Sequence, residues 1–172
     1  MSSENKNLSE NPDISLSRSE SVRISIVTSE WNHEITVSMQ DACTQCLMEY
    51  GIPRENIIIS KVPGAFELVL GAKWALASDK TDAVICIGCV IKGETKHDEY
   101  ISTAVAHGIM TLGLASNKPV IFGVLTPNDI KQAFDRAGGK YGNKGVEAAT
   151  SALKMIALEQ KLKYDKKKIG FN

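Results

Sequence analysis

The chain has 172 residues, 43% of them hydrophobic, which suits one globular domain with its own core. Its 20 basic and 20 acidic side chains cancel, so no global field draws it to nucleic acid or to an anionic membrane. No apolar run approaches the ~18 residues that a membrane-spanning helix needs.

Residues 1–20 are rich in Ser, Asn and Glu and read as a flexible polar tail. The segment has no apolar centre for a secretory signal, and its acidic residues argue against a transit peptide. A cytoplasmic protein is expected. Residues 21–164 read as a single domain and residues 165–172 as a basic C-terminal tail.

Val22 to Thr28 alternates and is rich in β-branched residues, which predicts a strand. Ile35, Met39, Ala42, Cys43, Cys46, Leu47 and Tyr50 then recur at helical spacing, and Gly51 and Pro53 stop that helix. A second strand is expected over 56–62 and a helix from Phe66 to Ala77. Residues 83–91, AVICIGCVI, are apolar on both alternating faces, as in a central parallel strand covered on both sides. Ile101, Ala104, Val105, Gly108, Ile109 and Leu112 mark the next helix, and 119–126 the fourth strand. Thr126 then looks like an N-cap with Pro127 at the first helical position. Ile130, Ala133, Phe134 and Ala137 give that helix a buried side, and Gly138 and Gly139 end it. A last helix runs from about Asn143 to Lys161. Strand and helix alternate four times, so the expected fold is a three-layer α/β/α sandwich with a four-stranded parallel sheet, flavodoxin-like in class.

Cys43 and Cys46 fall on the apolar face of a helix. Cys86 and Cys89 lie three apart in a strand and point to opposite faces, so neither pair can close on one ion. Buried free thiols are expected rather than a metal or redox site.

In an open parallel sheet, ligands bind beyond the carboxyl ends of the strands. Segments 29–32, 62–67, 92–99 and 125–128 converge there. Gly93, Glu94 and Thr95 open a helix near His97, where free N–H groups and the dipole attract anions, although many such helix starts bind nothing. His97 has the ordinary pKa for proton transfer near neutrality, or is simply a solvated loop residue. Trp31 either stacks on a planar ring or covers the sheet end. Glu67 either hydrogen-bonds a ligand or complements a helix dipole. Arg136, Lys140 and Lys144 at a glycine-rich junction make either an anion clamp or an ordinary basic surface. His33 and His107 have no such company.

The stretches VPGAFEL, GCVIKGETKHDEYI, PVIFGVLT and QAFDRAGGKYGNKGVEAA, read in order from Val22 to Leu158, resemble the 6,7-dimethyl-8-ribityllumazine synthase family of riboflavin synthesis. The resemblance implies an enzyme that condenses 5-amino-6-(D-ribitylamino)uracil with 3,4-dihydroxy-2-butanone 4-phosphate, without metal or organic cofactor. It implies that Trp31 stacks on the pyrimidine. Ala65, Phe66, Glu67, Val90, Ile91 and Lys92 would line the pyrimidine and ribityl chain, with Phe122 covering the site from a neighbouring subunit. Gly93, Glu94, Thr95, Arg136 and Lys144 would hold phosphate, and His97 would move the proton. A homopentamer is implied as the minimal active unit, either ending there or stacking into the icosahedral 60-mer that some members form, with riboflavin synthase as a partner. Small residues Ala148, Ala149 and Ala152 are expected to allow close packing between subunits. The chain departs from the family at Asp98, where an aromatic is usual, at Leu68-Val69, where a proline is common, and at Trp31, usually Phe. A binding or shell-forming paralogue without turnover is the alternative, and an unrelated flavodoxin-like binding module is a third reading.

Overall fold

Runs of β-branched and aliphatic residues build one parallel sheet in a computed structural model that describes residues 14–78 and 81–168, with side chains through Asp165. The strands are β1 (Ile24–Ser29), β2 (Ile57–Val62), β3 (Ala83–Cys89) and β4 (Val120–Leu125), in the order β2-β1-β3-β4. Ile24 pairs with Ile57 on one side and Ala83 on the other, and Val84 pairs with Val120. Every residue of β1 and β3 is buried, because these two strands are central.

Helices α1 (His33–Glu49) and α5 (Lys144–Lys168) cover one face, and α2 (Leu68–Ala77) and α3 (His97–Ser116) the other. The alternation of β3 divides its side chains between two cores. Ile85, Ile87 and Cys89 join Met39, Leu47 and Leu153 beneath α1 and α5. Val84 and Cys86 join Leu68, Val105 and Ile109 beneath α2 and α3. Cys86 and Cys89 therefore do face opposite ways. The three-layer sandwich is the architecture expected from the strand–helix alternation, and its strand order is that of flavodoxin-like sheets.

Three local expectations are corrected. The helix after β4 is the short α4 (Ile130–Arg136), capped by Asp129, whose side chain accepts from the Gln132 N–H, and not by Thr126. Pro127 stays outside the helix because its carbonyl accepts from the Lys92 N–H at 3.0 Å, which keeps the chain beside the β3 exit. Of the expected buried side of α4, Ile130 and Phe134 are 51% and 45% exposed, and only Ala133 and Ala137 are buried. Ala148, Ala149 and Ala152 are almost fully buried within their own chain, where they bring α5 close to the sheet and α1.

Between α4 and α5 the chain forms a small hairpin, β5 (Ala137–Gly139) with β6 (Gly142–Asn143), which the sequence reading passed over. Gly138 and Gly142 have φ of 115° and 77°, conformations that favour glycine.

The expected tail is partly docked. Ile14 and Leu16 pack against the α1/α5 core, and the Ser17 N–H donates to Gln160 Oε1 at 2.9 Å. Asn56 Nδ2 donates to the Glu20 carbonyl. Residues 1–13 and 169–172, parts of the two expected tails, lie outside the described residues. α5 runs on to Lys168, past the expected boundary at 164.

Candidate active site

Connections leave β1 and β3 in opposite directions across the sheet, so the switch point at which flavodoxin-like sheets bind ligands falls between their carboxyl ends. Asn32, in the left-handed region at φ 57°, ends the β1 exit loop. Its Nδ2 donates to the Cys89 carbonyl at 2.9 Å and ties that loop to the end of β3. The Glu30 N–H donates to the Val62 carbonyl and ties it to β2. The loop thus holds Trp31 at the rim, 73% exposed.

Trp31 and Glu67 flank Gly64. A Cβ there would lie 3.0 Å from Glu67 Oε2 and 3.5 Å from Trp31 Cδ1. An aromatic face and a carboxylate therefore stand together at this rim, beside Ala65, which is buried. Glu67 is the residue before α2, not inside it. Phe66 instead lines an apolar groove between α2 and α3 with Val69, Leu70 and Gly108. Val69 fills the space that a Cβ at Gly108 would need.

Beyond β3, Val90 and Ile91 are half-buried and Lys92 is exposed. The N–H groups of Val90 and Lys92 are taken by the carbonyls of Leu125 and Pro127, which leaves only the Ile91 N–H among these three for a ligand. Gly93, Glu94, Thr95 and His97 are exposed, with His97 the first residue of α3. The turn is already using two of its polar groups. The Gly93 N–H donates to Asp98 Oδ1 at 3.3 Å, and Thr95 Oγ1 accepts from the His97 N–H at 3.4 Å. A carboxylate of the chain thus occupies an amide expected to meet an anion.

Phe122, Arg136 and Lys144 gather elsewhere, in a crevice of about 620 Å³ along β4 that Gln132, Glu147 and Ser151 also line. Trp31, Phe66, Glu67, Thr95 and His97 take no part in its lining. Lys144 is already paired within the chain. Its Nζ sits 2.7 Å from both oxygens of Glu147, one turn along α5. Arg136 differs. Its Nη1 donates to the Gln132 carbonyl at 3.1 Å, its guanidinium lies over the Tyr141 ring, and among the described residues no carboxylate pairs with it. A guanidinium with free N–H donors and no counter-charge, in an open crevice, is suited to a phosphate.

The GNKG stretch owes its composition to packing. Asn143 Oδ1 accepts from the Gly145 N–H at 2.8 Å, filling a donor in the first turn of α5, while Nδ2 donates to the Ser38 carbonyl of α1. Gly145 lies directly against the Met39 carbonyl, where no side chain fits. The start of α5, and with it Lys144, is thereby fixed to α1. Sequence alone gave no role to Gln132, Tyr141 or Glu147, and none to Asn32 within the segment 29–32. The helical spacings of Gln132 to Arg136 and of Lys144 to Glu147 could have pointed to two of them.

All four cysteines are buried and free. Burial pushes the thiols of Cys46 and Cys89 up to about 11 and that of Cys86 to about 12, with the charge of Glu49 adding at Cys46. Cys43 is raised further, first by burial and then by Cys46. Such thiols are poor nucleophiles and poor metal ligands. Among the described residues no three His, Cys, Asp or Glu side chains cluster to hold a metal ion.

Fold and site together define a doubly wound α/β protein whose polar groups collect at the rim of a parallel sheet. Residues 21–160 match the family model for 6,7-dimethyl-8-ribityllumazine synthase. The proteins given that name in Cytophaga hutchinsonii and Flavobacterium johnsoniae are 53% and 46% identical to this chain, over 91% and 93% of it and over 98% and 84% of their own lengths. That of Porphyromonas gingivalis is 48% identical over 81% of this chain and 86% of its own. The chain belongs to the 6,7-dimethyl-8-ribityllumazine synthase family.

Proposed function

We propose that the chain catalyses the reaction for which its family is named. The amine of 5-amino-6-(D-ribitylamino)uracil condenses with the ketone of 3,4-dihydroxy-2-butanone 4-phosphate, losing water to give a Schiff base. Phosphate leaves, and the ribitylamino nitrogen closes the second ring with loss of water to give 6,7-dimethyl-8-ribityllumazine. The residue roles belong to the same proposal. Trp31 stacks on the pyrimidine, and Glu67 accepts from ribityl hydroxyls beside Ala65, Phe66 and Lys92. Ile91 presents its N–H to the ring at the end of β3. Gly93, Glu94, Thr95 and Arg136 hold the leaving phosphate, with Lys144 beside them, and His97 moves the proton. Placement of the two substrates and neutralisation of the departing dianion are the larger contributions such a step needs.

Arg136, its guanidinium unpaired by any described carboxylate and sharing a crevice with Phe122, carries the reading. It does not share that crevice with Trp31, Thr95 and His97, which supports a site completed by Phe122 and Arg136 of a neighbouring copy. The helices also present apolar side chains to solvent, among them Trp74 at 65% and Leu114 at 78% exposed, which a monomer has reason to hide. The proposed assembly is a homopentamer, the unit from which some members of the family build a 60-mer shell. A cytoplasmic location and riboflavin synthase as the partner consuming the product complete the reading. None of the described helices is long and apolar enough to cross a membrane.

Mixing the purified protein with both substrates, while following lumazine fluorescence and released phosphate, tests the proposal. Equimolar formation of both above the uncatalysed background is expected. Background rates alone, with bound lumazine or flavin, would leave only a binding role.

A further inference from the structure

Arg136 is the last residue of α4, and a long side chain at a helix end is ordinarily free to sweep. Here two contacts hold it. One is the Gln132 carbonyl, a single hydrogen bond. The other is the ring of Tyr141, whose centroid lies 4.9 Å from the guanidinium carbon. Tyr141 comes from the tip of the β5–β6 hairpin, and the hairpin is folded tightly back onto α4. The Tyr141 N–H donates to the Asp135 carbonyl at 2.8 Å. Gly139 lies so close to α4 that a Cβ there would come within 2.8 Å of the Asp135 Cα and 2.9 Å of the Phe134 carbonyl oxygen. Lys140 approaches the same ring, its Nζ 5.1 Å from the centroid.

The chemistry of the ring matters more than its bulk. A carboxylate would fix Arg136 equally well but would neutralise it and take its N–H donors. An aromatic face attracts a guanidinium through its quadrupole while leaving the charge intact and the in-plane donors free. A guanidinium has five N–H donors, and the Gln132 carbonyl accounts for one hydrogen bond. The remaining donors are therefore held in one orientation, ready for an anion. Pre-ordering of this kind raises affinity by lowering the entropy lost on binding.

We propose that Tyr141 is a positioning residue for the phosphate-bearing substrate, acting through Arg136 by its aromatic face. The inference rests on the reading of Arg136 as the phosphate clamp. The test compares Tyr141→Leu, Tyr141→Phe and Arg136→Ala in the assembled enzyme, with each substrate varied in turn and with inorganic phosphate as competitor. Tyr141→Leu is expected to raise the KM for 3,4-dihydroxy-2-butanone 4-phosphate and the inhibition constant of phosphate together. The rise expected is about 3- to 30-fold, the range of a cation–π contact. The KM for the pyrimidine and kcat at saturation should stay within about twofold. Tyr141→Phe, which keeps the face and loses only the hydroxyl, should restore wild-type values. Added to Arg136→Ala, the leucine change should have no further effect. If the leucine variant fails to assemble, Tyr141→Gln, polar and without a π-face, carries the same expectation.

A phenylalanine variant as impaired as the leucine one, equal losses for both substrates, or wild-type values in the leucine variant would overturn the role of Tyr141. Those outcomes leave the clamp itself standing if Arg136→Ala still weakens phosphate. An Arg136→Ala enzyme with an unchanged KM for the phosphate substrate would instead remove the clamp, and with it the basis for the inference.

Discussion

Replacing Gly145 by alanine adds one methyl group where the start of α5 lies directly against the backbone of α1. The new Cβ would run into the carbonyl of Met39 and stand 2.9 Å from Asn143 Oδ1. Neither neighbour can yield cheaply. The Met39 carbonyl belongs to the backbone of a helix, in a residue that is 0% exposed. Asn143 is held by its own bonds to Gly145 and Ser38. The helices would have to part by roughly 1.5 Å to restore ordinary contact. That movement loosens Met39, Cys43 and Leu153, all completely buried. Overpacking of this sort costs about 3 kcal/mol, the upper end of the usual range. For a chain of this size the melting temperature should fall by about 6–12 °C. Thermal unfolding at matched protein concentration measures it, since any assembly makes the midpoint depend on concentration. Gly93→Ala serves as the contrast. The nearest atom to a Cβ at Gly93 is the Thr95 nitrogen at 4.0 Å, so stability there should change by no more than about 0.5 kcal/mol. A Gly145→Ala protein melting within about 2 °C of wild type would refute the claim that this contact sets the spacing of the two helices.

His97→Ala should lower kcat roughly a hundredfold without abolishing turnover, because placement of the substrates survives the loss of a proton carrier. Unchanged turnover takes His97 out of the chemistry. Asp98→Asn should lower the KM for the phosphate substrate about twofold to fivefold, because the carboxylate now on the Gly93 N–H competes with and repels a dianion. A higher KM would mean that Asp98 instead builds the turn. The buried thiols give stability a definite alkaline limb. Folded thiols keep their protons to higher pH than unfolded ones, so above the ordinary value of 9.0 the unfolded chain binds fewer protons and is favoured. Their contribution is whole below 9.0 and is lost as pH rises through about 11, which denaturant melts across pH 8 to 11 should follow. At pH 8 a thiol reagent should leave the native protein unlabelled and react fully only after unfolding.

The strands were legible because their chemistry is local. Ala83 to Cys89 is apolar on both faces, and only a strand buried between two layers requires that. The polar loops at the carboxyl ends of the strands followed from topology, so the neighbourhood of Trp31, Glu67 and His97 could be anticipated. The start of α4 could not. Thr126 and Asp129 are both good caps, and the choice between them is made by a bond from Lys92, 35 positions away from Pro127 in sequence. Apolar spacing likewise marked Ile130 and Phe134 as inward-facing. Periodicity counts apolar residues without saying which surface, or whose, they meet. The alanines of α5 were misassigned for the same reason: small size predicts a close approach, and the approach turned out to be to the chain's own sheet. The β5–β6 hairpin is too short to carry a pattern, and the part played by Tyr141 depends on how that hairpin folds back.

The contact between Ser17 and Gln160 has a practical side. It brings the beginning and the end of the described chain together on one flank of α5. From Gln160 to Lys168 the helix climbs only about 12 Å, a span that roughly four extended residues can retrace. A version trimmed to the described residues is therefore a ready subject for circular permutation, with new ends opened in a surface loop and residues 14 and 168 joined by a short bridge. In that trimmed form a cargo attached at either end would leave the domain from the same flank, so a pair of fused reporters would sit near each other rather than on opposite poles.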